Sequence, residues 1–226
     1  MSKKPKQMTR AEAVEAIRER ILRGDLVPGQ RLVEADLCEL LNTSRGTVRT
    51  ALMDLVHEGL IERIANRGAR VRVVSLEEAL QIVEVRMVVE SLCVMRAAER
   101  ISDKEIREMR RLAKELEACA QNSDIEGFAE HTHAIFELYV GIADQPVAAE
   151  VLSRLRAQST RHRFRLTYRA GRAKVSLPFW LDLVDAISAR EPKKAQEALR
   201  RHVANVEESM KALAHDDTPF AITYPR

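Results

Sequence analysis

Apolar side chains at Val14, Ile17, Ile21 and Leu22 recur at helical spacing and predict an amphipathic helix. Thr9 followed three residues later by Glu12 is a capping-box pattern at its start, and Gly24 is where it should stop. Residues 25–31 contain Pro28-Gly29, a turn signal. Leu37, Leu40 and Leu41 predict a short second helix, and Asn42-Thr43-Ser44 a tight turn. Ser44 is placed to cap a third helix that carries Val48, Leu52, Leu55 and Val56 on one face and ends at Gly59. The pattern then changes from helical to extended. Residues 60–64 and 69–73 read as two strands around a turn-like Asn66-Arg67-Gly68, a small hairpin.

Almost no strand signal follows Ser75. Helices are predicted near 76–100, 103–121, 124–143, 146–168, 174–190 and 192–214. Ser102-Asp103, Asn122-Ser123, Gln145-Pro146, Gly171 and Glu191-Pro192 punctuate them. The fold class is therefore mainly α: a winged helix-turn-helix over residues 9–74, then an all-α bundle of six to seven helices over 75–214. Residues 1–8 and 215–226 are expected to be tails.

Composition adds limits. With 226 residues, the chain has room for two modest domains. No stretch approaches the roughly 20 apolar residues that a membrane helix needs, so no membrane partner is expected. The basic N-terminus lacks the apolar segment of a signal peptide, and a cytoplasmic location is expected. Cys38, Cys93 and Cys119 fall at unrelated spacings inside helical patterns and read as buried thiols, not as a disulfide or metal framework. The formal charge of +3 is unevenly spread: residues 1–74 carry a net +4 and the remainder a net −1. The surplus concentrates at Arg45 with Arg49 and at Arg63, Arg67, Arg70 and Arg72, which suits a polyanion partner.

The residues Gly24-Asp25-Leu26-Val27-Pro28-Gly29-Gln30-Arg31-Leu32, then Glu34, then Ser44-Arg45-Gly46-Thr47-Val48-Arg49 with Ala51, Leu52 and Leu55, resemble the GntR family of bacterial regulators. Gly46 stands where that family often has proline. The second half, through Glu84-Val85-Arg86, Glu90, Phe136, Ala186-Ile187 and Leu199-Arg200-Arg201-His202-Val203, resembles the FadR-type (FCD) branch with its helical effector domain. The resemblance implies a sequence-specific DNA-binding transcriptional regulator, by default a repressor, that works as a homodimer on a palindromic operator and answers to a small-molecule effector.

In such a protein the third helix enters the major groove. Arg45 and Arg49, four apart on one face, suit guanine O6 and N7. Ser44 and Thr47 at the helix start suit phosphate oxygens. Arg31 is a further contact implied by the resemblance, and Arg67 with Gly68 occupies the wing tip. A single module reads too few base pairs to find one site in a genome, which is why a dimer is expected.

The resemblance also implies an effector cavity that in many relatives holds a divalent metal on an aspartate and three histidines. Here those positions fall on His133, Glu137, Trp180 and His202, so only one histidine is kept. Three readings stand: His133, Glu137 and His202 ligate zinc or a similar ion, or a metal-free pocket of His133, Glu137, Trp180 and His202 touches the effector directly, or these are ordinary packing and surface groups. Arg86, on an apolar helix between Val83 and Val89, needs an anion, either Glu90 or a carboxylate effector. Arg165 is a further candidate for the cavity. Two other classes remain as alternatives, an effector-independent architectural DNA binder and a metal-dependent hydrolase. No nucleophile elbow or phosphate loop supports an enzyme.

Overall fold

The computed structural model describes residues 8–64 and 68–214. The predicted tails, apart from Met8, and Asn66 and Arg67 of the hairpin turn lie outside the described residues. The chain divides into two compact units, residues 1–75 with 156–161, and residues 76–155 with 162–226.

The first unit is built from α1 (Arg10–Arg23), β1 (Arg31–Leu32), α2 (Glu34–Leu41), α3 (Arg45–His57), β2 (Ile61–Ile64) and β3 (Gly68–Val71). The capping box forms at α1. Thr9 Oγ accepts from the Glu12 amide, and the Glu12 carboxylate accepts from the Thr9 amide at 2.7 Å. Gly24 ends the helix at φ 86°, a left-handed position open to glycine at no steric cost. Ala13, Ile17 and Ile21 of α1 are buried with Val48, Ala51 and Leu55 of α3, Leu37 and Leu41 of α2, and Ile61 and Val71 of the sheet. Two ion pairs tie α1 to α3 along its length. Arg10 pairs with Asp54, and Arg18 Nη2 reaches both Glu58 carboxylate oxygens at 2.8 Å.

Two details differ from the sequence reading. Leu40 is exposed, because α2 turns only Leu37 and Leu41 inward. The hairpin also gains a third strand. β1 pairs antiparallel with β3, Arg31 opposite Arg70 and Leu32 opposite Ala69, so the sheet runs β1-β3-β2. Two residues are too few to show alternation, and the adjacent Pro28-Gly29 turn masks them.

The second unit holds α4 (Leu76–Arg100), α5 (Asp103–Asn122), α6 (Ile125–Ala143), α9 (Arg172–Ser188) and α10 (Pro192–Ala214). It also holds most of α7 (Pro146–Gln158) and α8 (Thr160–Thr167). The single helix predicted over 146–168 is thus two. The Ser159 hydroxyl at the break donates to the Arg156 carbonyl at 3.4 Å, and such back-bonding competes with the helical backbone ladder. α4 packs against α10, α6 and α9. Its inner face, with Ala79, Val83, Cys93, Val94 and Ala97, meets a core that includes Phe136, Tyr139, Leu183, Ile187 and Leu199. Only Cys93 is fully buried; Cys38 and Cys119 are half-buried, and all three are free thiols. Among the described residues, no helix is long and apolar enough to cross a membrane.

One polar cluster sits inside this core. Glu90 is 3% exposed. Its Oε2 accepts from Arg86 Nη2 at 2.9 Å and its Oε1 from the Tyr139 hydroxyl at 2.7 Å. A buried carboxylate is tolerable only with such partners.

Candidate DNA interface and effector residues

The turn of the helix-turn-helix is short because Asn42 adopts the left-handed conformation (φ 46°, ψ 51°) and returns its amide to the end of α2. Ser44 then caps α3, its Oγ accepting from the Thr47 amide at 3.2 Å and lying 2.9 Å from Thr47 Oγ1. With Val48, Ala51, Leu52 and Leu55 buried, α3 exposes Arg45, Gly46, Arg49, Thr50 and Met53. The uncompensated positive end of the helix and two arginines therefore share one outward face. An added Cβ at Gly46 would meet only Ser44 Oγ, at 3.7 Å, so packing does not require glycine there.

Arg49 does not wave freely. Its Nε and Nη2 donate to the two Glu34 carboxylate oxygens, each at 3.1 Å, from the first residue of α2. The fork geometry matches the way a guanidinium grips two acceptors on a guanine edge. The hydrogen bond from Arg49, reinforced by the charges of Arg49, Arg45 and Arg63, holds the Glu34 carboxyl below its usual range. Sequence reading missed this partnership, and also missed Thr50 and Met53. The helical wheel contained the signal for the last two, since they follow Gly46 and Arg49 by four residues.

The wing supplies the remaining candidates. Arg31 on β1 and Arg63 on β2 are exposed. Arg70 on β3 donates to Glu62 across the hairpin, and an internally paired arginine is a weaker phosphate contact. Gly68 sits at φ 87°, exposed, with nothing nearer to an added Cβ than the Leu32 carbonyl at 3.9 Å. Its backbone rather than its packing calls for glycine. Arg67 lies outside the described residues.

The six effector candidates lie on α4, α6, α8, α9 and α10. Arg86 is engaged by Glu90, as one of its two sequence readings required. Its Nε is buried with no hydrogen-bond partner. Trp180 on α9 and His202 on α10 pack against each other with ring centroids 4.6 Å apart and ring planes tilted by 56°. His133 Nδ1 lies 3.7 Å from Glu137 Oε1 on α6, with both side chains largely exposed at 60% and 59%. Arg165 lines a cavity of about 50 Å³ with Leu76, His162, Met210 and Leu213. Among the described residues, no three His, Cys, Asp or Glu side chains form a group able to hold a metal. His133, Glu137 and His202 do not fit a zinc site in this arrangement, and no step is assigned to one.

A capped recognition helix with outward arginines, braced by α1 and α2 and followed by a three-stranded wing, defines a winged helix-turn-helix DNA-binding module. Among the described residues, the seven helices after it make up a separate helical domain. Residues 9–71 match the family described as bacterial regulatory proteins, gntR family, and residues 81–205 match the FCD domain. The chain belongs to the gntR family and carries an FCD effector-binding domain. Its relatives include the HTH-type transcriptional repressor RspR of Escherichia coli (strain K12), 24% identical over 206 residues, covering 89% of this chain and 90% of that protein. They also include the probable D-xylose utilization operon transcriptional repressor of Paenarthrobacter nicotinovorans, 28% identical over 211 residues, covering 88% and 89%. The solved structure of E. coli McbR/YncC shares the fold, with a TM-score of 0.78 at 18% identity, covering 91% of this chain and 98% of that one. The protein is accordingly a ligand-modulated DNA-binding transcriptional regulator, and its family and relatives are regulators, not enzymes.

Proposed function

We propose that the protein is a homodimeric repressor that binds a palindromic operator in the bacterial cytoplasm, associated with the nucleoid when bound, and that a small carboxylate effector in the helical domain sets its affinity. The observation that carries the DNA-binding reading is the outward face of α3, where Arg45 and Arg49 stand beside the Ser44-capped helix start. Arg45 and Arg49 read bases. Arg31, Ser44 and Thr47 hold phosphates, while Arg67 and Gly68 bring the wing tip to the minor groove. The repressor assignment draws on the names of two relatives.

The dimer is supported by α4. Val85, Val88 and Leu92 are exposed, Val88 by 64%, although the opposite face of that helix is core. Their spacing of three and four residues is that of a helix–helix seam.

Effector control follows from linkage. A ligand that favours one arrangement of the two units changes operator affinity by the ratio of its affinities for the two states. Arg86, Arg165, Trp180 and His202, with His133 and Glu137, are the residues proposed to meet it. The reading is tested by operator binding of an Arg49→Ala variant. Loss of preference for operator over random DNA supports it, and full preference in the variant overturns it.

A further inference from the structure

Successive residues of a helix are turned by about 100°, so Val48, Ala51, Leu52 and Leu55 together fix the buried direction of α3. Gly46, Thr50 and Met53 lie within about 30° of the opposite direction, whereas Arg45 and Arg49 lie roughly 110° and 70° from it. The arginines therefore form one flank of the helix, where Arg49 is held by Glu34 of α2. The line that faces most directly away from the core runs through Gly46, Thr50 and Met53.

That line is apolar although it faces outward. Met53 is 45% exposed. Thr50 is exposed too, and its hydroxyl donates to the Gly46 and Thr47 carbonyl oxygens, each at 3.0 Å. The hydroxyl is thus spent on its own helix, and the methyl is the group left for a partner. Gly46 adds no side chain at all. A Cβ there would meet only Ser44 Oγ at 3.7 Å, so packing does not demand glycine, and glycine in a helix costs stability against alanine. What glycine does give is clearance, since the first turn of α3 can approach a surface more closely than with any other residue.

The chemistry of the ridge selects its occupant. The arginines on its flank favour a polyanion. The major groove of duplex DNA presents hydrogen-bond donors and acceptors and one apolar group, the C5-methyl of thymine. A ridge of bare backbone, methyl and thioether beside two guanidinium groups matches that combination. We propose that Thr50 and Met53 are specificity-determining residues that read thymine methyl groups in the operator, and that Gly46 provides the clearance they need to reach them. The inference rests on the reading of α3 as the helix in the major groove. It deepens that reading by requiring thymine in the same half-site as the guanines met by Arg45 and Arg49.

The probe is a duplex selected by the full chain from a random pool and resynthesised with single thymines replaced by deoxyuridine, which removes the methyl and keeps the base pair. Burial of one methyl is worth about fourfold in affinity, so at least one thymine in each half-site should show a loss of that order with the wild type. Thr50→Ser keeps the hydroxyl and Met53→Ala shortens the thioether; each should abolish the response at the thymine its side chain reads. Thr50→Val keeps the methyl and should retain the response. Gly46→Ala should melt at or above wild type and yet bind the selected duplex several-fold more weakly. A wild type indifferent to the methyl of every thymine overturns the proposal, as does an undiminished methyl response in both Thr50→Ser and Met53→Ala. Arg49→Ala tests the arginine reading separately: it should lower the preference for the selected duplex over random DNA and keep the methyl response. A chain that selects no duplex from the pool overturns both readings.

Discussion

Tyr139→Phe removes one atom from the best-buried polar cluster of the helical unit. Tyr139 is fully buried, and its hydroxyl donates at 2.7 Å to a Glu90 carboxylate that is itself 3% exposed. The phenylalanine ring refills the same space and keeps the edge-to-face contact with Phe136 at 5.4 Å, so no cavity term arises. What is lost is a hydrogen bond to a charged group, worth about 1.5–3 kcal/mol when the acceptor is left buried. For a protein of this size the loss lowers the midpoint of thermal unfolding by roughly 3–10 °C. Urea unfolding followed by circular dichroism measures the same difference as a shift in midpoint at constant slope. Glu90→Gln strands the Arg86 charge as well and should cost more, on the order of 3–5 kcal/mol. The double variant should then lose less than the sum, because both changes act on one network. A Tyr139→Phe protein within about 0.5 kcal/mol of wild type would refute the reasoning, since that is the scatter of surface substitutions.

Two further outcomes follow from burial. The Cys93 thiol is pushed up to about 11 by burial and by the nearby Glu90 charge. A raised folded pKa favours the neutral thiol in the folded protein. Its contribution is thus complete below pH 9 and is lost as pH rises from 9 towards 11. Urea unfolding at pH 8 and pH 10 should show a smaller loss in Cys93→Ala than in wild type, and a thiol reagent should label Cys38 and Cys119 before Cys93. A charge on the exposed α4 seam, Val88→Glu with Leu92→Glu, should turn a dimer into a folded monomer in sedimentation; an unchanged dimer would move the interface elsewhere.

How much could be read from the chain varies with the range of the interaction. The capping box at Thr9 and Glu12, the Gly24 stop and the Ser44 cap are local, and the structure reproduces each. The Arg86–Glu90 pair was also legible, since four residues on one helix place the groups side by side. Tyr139 joins that pair from 49 residues away, and Arg49 finds Glu34 across the helix-turn-helix, so no periodicity announces either. β1 is too short to have a pattern, and the break at Ser159 falls in a stretch with unbroken helical character. Arg172, the first residue of α9 and only 7% exposed, escaped for a different reason. Hydrophobic patterning assigns charged residues to the surface, and only tertiary packing shows that this one lies inside. Of the effector residues, Trp180 meets His202 and His133 lies near Glu137, and among the described residues the three candidate ligands do not form a metal group.

In the proposed mode of binding, α3 reads DNA sequence through Arg45 and Arg49. The most direct measurement is the ratio of affinities for an operator fragment and a random fragment of equal length, in wild type and Arg49→Ala, at several salt concentrations. A bidentate arginine–guanine contact contributes about 1–3 kcal/mol of discrimination, so the ratio should fall by roughly five- to a hundredfold in the variant. Affinity for random DNA, carried by phosphate contacts, should change little and keep its salt dependence. An Arg49→Ala protein that retains the wild-type ratio, or loses affinity equally for both fragments, would contradict the account.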